Sequence, residues 1–204
     1  MKTEESNMKN GKNSMKKVLN VSLSLALALT LAGPACAAAT PTEQETAAAN
    51  LKAQGIMAGD ENGNMHLEDT LTRAQLACLL SPISLNPEHV AWEKDFYTKM
   101  CTINFDDVPE WAQVHVGVCA SNGLMAGYGK GRFAPSDPVS PQMACSVILR
   151  YLERTGWTYD TACQKALELD LVPAEALERD AITRGDMAIL IDRALDYMAW
   201  LQTL

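Results

Sequence analysis

Residues 56–59 read Ile-Met-Ala-Gly and residues 124–127 read Leu-Met-Ala-Gly. The same spacing separates Thr72 from Ser140, since 127 − 59 and 140 − 72 both give 68. A chain that repeats a helix end, a loop of fixed length and a helix start in register is built from copies of one unit, none of which buries its apolar face alone. In the first copy, Ala47 to Gln54 predicts a helix ending at Gly55, and Thr72-x-x-Gln75 is a capping box that opens a second helix. In the second copy, Trp111, Val114, Val118 and Cys119 recur at helical spacing and predict one apolar face. Asn122-Gly123 ends that run, and Gly127, Gly129 and Gly131 make a turn-rich loop under which Phe133 tucks its ring. Ser140 is the next N-cap, with Pro141 at the first helical position, where a missing N–H costs nothing. A third copy runs from Tyr159 to the box-like Thr183-x-x-Asp186, but Leu171 to Thr183 spans 12 residues where Leu124 to Ser140 spans 16. Its glycine loop is lost.

Phe105-x-Asp107-Val108, Trp111-Ala112, Asn122-Gly123-Leu124, Gly127-Tyr128, Gly131-x-Phe133-x-Pro135 and Pro138-Val139-Ser140 together resemble the S-layer homology (SLH) repeat. Thr72-Arg73-Ala74-Gln75 is similar to the family's T-R-A-E signature, with glutamine in place of glutamate. The resemblance implies an all-α fold of three helix-loop-helix SLH-like repeats in a pseudo-threefold bundle, the third repeat degenerate. It divides the chain into a signal peptide (1–38), repeat 1 (39–81), a connecting helix insertion (82–104), repeat 2 (105–153) and the degenerate repeat 3 (154–204). It also implies non-covalent attachment to a secondary cell-wall polysaccharide of a Gram-positive-type envelope, often through a pyruvate ketal. The glycan-binding candidates are Arg73, Asp107, Trp111, Gly127 and Arg184. Arg73 and Arg184 stand at the first turn of capped helices, where a guanidinium adds a donor fork to free backbone amides, and Arg73 is expected to serve the ligand with little part in folding. On the residues alone, surface positions beside their caps are the better reading of both arginines and a core position that of Trp111, and Asp107 fits a cap for a helix starting near Pro109.

Formal charge is 17 − 25 = −8, and no Lys/Arg cluster follows residue 38, which argues against nucleic acid as a partner. Lys16-Lys17, the apolar run Val18 to Ala32 and the small residues Gly33 to Ala38 read as a secretory signal peptide, too short to span a bilayer, with cleavage near Ala37 or Ala38. The mature chain then has no membrane span. Residues 39–46 read as a mobile polar lead. Cleavage removes Cys36 and leaves Cys78, Cys101, Cys119, Cys145 and Cys163, an odd number that favours buried thiols over a disulfide framework, with a Cys78–Cys145 bridge as the alternative. Within 82–104, Val90, Trp92, Phe96 and Met100 are expected to be partly buried on one helix. Asp60, Asn62 and Asn64 alternate as in a calcium loop, but Met65 and Leu71 stand where such a loop needs glycine and glutamate. No metal, cofactor or catalytic constellation is expected, so the chain reads as a binding module and not an enzyme. An anionic cell-wall polysaccharide is the expected partner. An exported protein-protein scaffold, with other envelope proteins as partners, is the alternative.

Overall fold

The structure is a computed structural model that describes residues 41–85 and 87–204; the expected signal peptide lies outside them. Among the described residues the elements are α1 (Glu43–Ala53), α2 (Arg73–Ser84), α3 (Pro87–Trp92), α4 (Lys94–Asn104), α5 (Glu110–Ser121), α6 (Pro141–Tyr151), the 3-10 turn η1 (Tyr159–Thr161), α7 (Ala162–Glu168), the 3-10 turn η2 (Ala174–Glu178) and α8 (Arg184–Leu201). The fold is all-α. Isolated bridges link units, but no strand forms among these residues.

Each unit starts with a helix closed by the same motif. The amide of Ile56 donates to the carbonyl of Leu51, that of Leu124 to Cys119 and that of Leu171 to Ala166, each at 2.9 Å. The residue before each donor is left-handed: Gly55 at φ 71°, Gly123 at φ 68° and Asp170 at φ 54°. Aspartate tolerates that region better than most side chains, so the third copy keeps the turn without the glycine. The second helix of each unit starts at a hydroxyl cap. Thr72, Ser140 and Thr183 accept from the amides of Gln75, Met143 and Asp186, and the boxes at Thr72 and Thr183 are complete.

Closure is set by a ring of three backbone bonds just before those caps. Leu71 N–H donates to Ile182 O at 3.0 Å, Ile182 N–H to Val139 O at 2.8 Å, and Val139 N–H to Leu71 O at 2.9 Å. All three side chains are buried, so water cannot satisfy these groups and the ring must close. Helix pairing is also cyclic: α5 packs on α2, α7 on α6, and α1 on α8. Each unit's first helix therefore lies against the capped helix of the unit before it. One core results, centred on Leu76, Leu80, Ile148, Leu149, Leu190 and Ile191.

Three expectations need correction. Residues 43–46 are not a mobile lead, because Thr42 and Glu45 form a capping box that starts α1 at Glu43. The insertion does not bury Trp92 or Phe96, which are 82% and 53% exposed; Tyr97 and Cys101 of α4 are buried instead. In α5, Val118 and Cys119 of the expected face are fully buried, but Ala112 and Val116 complete the buried side, while Val114 is half-buried and Trp111 is 59% exposed. A Cβ at Gly117 would stand 2.0 Å from the Tyr97 carbonyl oxygen, so the α4 backbone packs directly on α5 at this glycine, and the groove between the two helices holds Trp111 at its open side.

Candidate functional site

Arg73 leaves the first turn of α2 and reaches into the loop of the second unit. Its Nε donates to Phe133 O at 2.9 Å and its Nη2 to Ala126 O at 2.7 Å. Arg184 makes the matching pair into the first unit's loop, Nε to Met65 O at 3.0 Å and Nη2 to Ala58 O at 3.1 Å. The acceptors obey the register of the sequence, since 133 − 65 and 126 − 58 are both 68. Backbone bonds reinforce each grip: Arg73 and Ala74 donate to Asp137 and Pro135, and Arg184 and Gly185 to Asp69 and Leu67. Pro141 has no N–H and no guanidinium, so the second unit lacks this clamp on the third.

The two arginines are thus interface clamps first. Arg73 is 6% exposed, with its guanidinium 4.8 Å from the Tyr128 ring centre and 4.5 Å from that of Phe133. Burial pulls Arg73 below its ordinary pKa, opposed by Tyr128, Asp137 and Asp107; burial does the same to Arg184, opposed by Asp69. The expectation that Arg73 serves a ligand with little part in folding is corrected, because two of its donors already hold buried or half-buried backbone.

Asp107 does not cap α5, whose N-cap residue is Pro109 and carries no side-chain cap bond. It braces the loop: Phe133 N–H donates to Oδ1 at 2.8 Å and Ala134 N–H to Oδ2 at 2.7 Å. Burial pushes its carboxyl up, but these two amides, its own amide and the Arg132 charge together hold the pKa below the ordinary value. Gly127 admits the same loop, because a Cβ there would meet the Phe105 ring at 2.5 Å and Arg132 O at 2.6 Å. In the first unit, Asp60 spends Oδ1 on the amides of Asn62 and Asn64, and its Oδ2 lies 3.0 Å from His66 Nε2. These bonds account for the alternating Asp-Asn-Asn pattern as a turn.

A cavity of about 180 Å³ opens beside Arg73, between α2 and α6. Met125, Tyr128, Ser146, Arg150 and Tyr159 are among its walls. Arg150 is exposed and anchored by Nη1 to Leu124 O at 2.8 Å. Ser146 Oγ is buried and has no hydrogen-bond partner among the described residues. Trp111 lies elsewhere, in an open groove between α4 and α5 with Asp95, Glu110 and His115. Arg73, Asp107 and Gly127 therefore share the second unit's loop, while Trp111 and Arg184 face other surfaces. The sequence did not single out Arg150, Ser146 or Tyr159; only their place on α6 and η1 in the closed ring brings them to Arg73.

Another hidden pair is Ser81 Oγ and His115 Nδ1, 2.6 Å apart between α2 and α5, with burial pulling the imidazole below its ordinary pKa. Ser81 is only 1% exposed, so this bond reads as packing between helices.

The model of the S-layer homology domain matches residues 40–77 and 104–140, the stretches that carry the two loops and end at or just past their helix caps. Both regions are S-layer homology repeats. The chain is also 31% identical over 156 residues to a cell surface protein of Thermoanaerobacter kivui, covering 74% of this chain and 20% of that protein. A middle cell wall protein of Brevibacillus brevis is 31% identical over 157 residues, covering 75% of this chain and 14% of that protein. The chain spans a fifth or less of the length of these relatives. Arg73 lies within the first matched stretch, whereas Arg184 and the rest of the third unit fall outside both. Among the described residues, no helix is long and apolar enough to cross a membrane.

Proposed function

We propose that the chain is a non-catalytic cell-envelope module that holds an anionic cell-wall polysaccharide without a covalent bond. The acidic group, such as a pyruvate ketal on a sugar, enters the cavity between the first two units. One observation carries this: in a chain of net charge −8, that cavity is lined by Arg73 and Arg150 and by no carboxylate. A carboxylate gains charge-assisted bonds from such donors, and Ser146 Oγ offers one more hydrogen bond. The half-exposed rings of Tyr128 and Tyr159 supply flat apolar faces for a sugar. Gly127 and Asp107 shape the rim through the loop they support. The relatives' names, a cell surface protein and a cell wall protein, support an exported chain held at the wall.

A protein-protein scaffold is the second reading, favoured by the exposed Trp92, Phe96 and Ile103 of the insertion. Co-sedimentation separates the two. A wall anchor pellets with cell-wall sacculi that carry the polymer and stays in solution once the polymer is stripped. Equal pelleting with both preparations, or with neither, supports the scaffold.

A further inference from the structure

The five cysteines among the described residues are all free thiols. Cys145, on α6, is fully buried, and Cys163, on α7, is half-buried. The two helices pack on each other, and each thiol influences the other's ionisation across that contact. Gln142, one turn before Cys145, ties the same two elements: its Oε1 accepts from Cys163 Sγ at 3.3 Å and its Nε2 donates to the Tyr159 carbonyl. Two sulfurs from different helices thus meet at a contact that side-chain bonds already register, one of them open to solvent. The other cysteines differ. Cys119 Sγ donates to Ala77 O at 3.6 Å, with Cys78 as its sulfur neighbour, and no bridge joins Cys78 to Cys145 in this structure.

We infer that Cys145 and Cys163 form a disulfide when the folded chain meets a small-molecule or protein disulfide, stapling the first turns of the third unit, with Tyr159, to α6. Cys163 reacts first because solvent reaches it. Its thiolate attacks one sulfur of the oxidant and expels a thiolate, leaving a mixed disulfide. Cys145 then loses its proton to solvent, attacks Cys163 Sγ and expels the second thiolate. Two protein thiols are oxidised by two electrons, and one disulfide is reduced to two thiols that take up the two protons. Burial raises both protein thiols above the ordinary cysteine pKa, so the reaction is slow at neutral pH and faster in mild alkali. The bond closes a loop of 163 − 145 = 18 residues in the part of the ring that lacks an arginine clamp.

The inference is independent of polymer binding. The folded full chain is incubated with oxidised glutathione, then digested without reduction for mass spectrometry. The expected result is a cross-linked peptide joining Cys145 to Cys163, lighter by about two daltons than the two reduced peptides together. The melting temperature should rise by roughly 6–12 °C, the scale for closing a loop of this size in a chain of this length. Cys78→Ala should leave the bridge intact. Cys145→Ala should stop at a glutathione adduct on Cys163, a readout that holds even if the variant is less stable. Exhaustive oxidation that leaves Cys145 and Cys163 open to alkylation, a wild-type chain halted at the glutathione adduct, or a bridge to another cysteine would each overturn the inference.

Discussion

The loop gripped by Arg184 reads Asp60-Glu61-Asn62-Gly63-Asn64-Met65, and the loop gripped by Arg73 reads Tyr128-Gly129-Lys130-Gly131-Arg132-Phe133. Their backbones agree closely. Asp60 N–H donates to Asn64 O at 2.9 Å, and Tyr128 N–H to Arg132 O at 2.8 Å. Gly63 and Gly131 stand at φ 82° and 75°, and His66 and Ala134 at φ 52° and 60°. Their side chains do not agree: the first loop is acidic and polar, the second basic and aromatic. Backbone clamps made by an arginine need only carbonyl oxygens, which every residue supplies, so the fold tolerates either loop. Charge and rings are left free to set what each groove accepts.

The aromatic half of this contrast gives the largest expected effect. Phe133 is fully buried against Phe105 and Arg73, so Phe133→Ala should lower unfolding free energy by about 3–5 kcal/mol, measured by urea denaturation. Met65→Ala, at the matching but only half-buried position, should cost less than half as much. Equal losses would show that the two loops are packed alike. The clamps come next. Arg73→Met removes two bonds to carbonyls and two ring contacts and should cost roughly 2–4 kcal/mol, whereas Arg184→Met removes the two bonds alone and should cost roughly 1–2 kcal/mol. A silent Arg73→Met would return that residue to a ligand role alone.

Much of this arrangement was legible in the chain because it is local. The caps at Thr72, Ser140 and Thr183 and the left-handed glycines depend on residues within a few positions of one another, and the 68-residue register is the recurrence of those local signals. What escaped was set by contacts across units. Trp111 fits an apolar stripe by spacing, yet it is exposed in the groove beside α4, whose backbone meets α5 at Gly117. Arg73 looks like a free donor on its own helix; its acceptors lie 53 and 60 residues away. Asp107 precedes a helix and suggests a cap, while the amides it serves are 26 and 27 residues downstream.

Asp107 gives a smaller, pH-dependent effect. Its folded pKa lies below the ordinary carboxylate value, so the stability it adds is fully present above the unfolded pKa and is lost as pH falls through the folded one. Asp107→Asn, which keeps one acceptor for two amides, should cost about 1–2 kcal/mol. That gap should stay constant from pH 7 to about 5 and close below roughly pH 4. A gap that persists in acid would mean the carboxylate charge is not what holds the loop.

The central claim is that one clamped groove, and not its acidic counterpart, takes the wall polymer. Binding isotherms with purified anionic wall polysaccharide test it through Arg150→Glu, which reverses the charge of a cavity wall while touching neither clamp. Affinity should fall at least about tenfold, or 1.4 kcal/mol, with Arg184→Met unchanged at a temperature where both variants stay folded. Full affinity in Arg150→Glu together with loss in Arg184→Met would contradict the account and move the polymer to the first unit's loop.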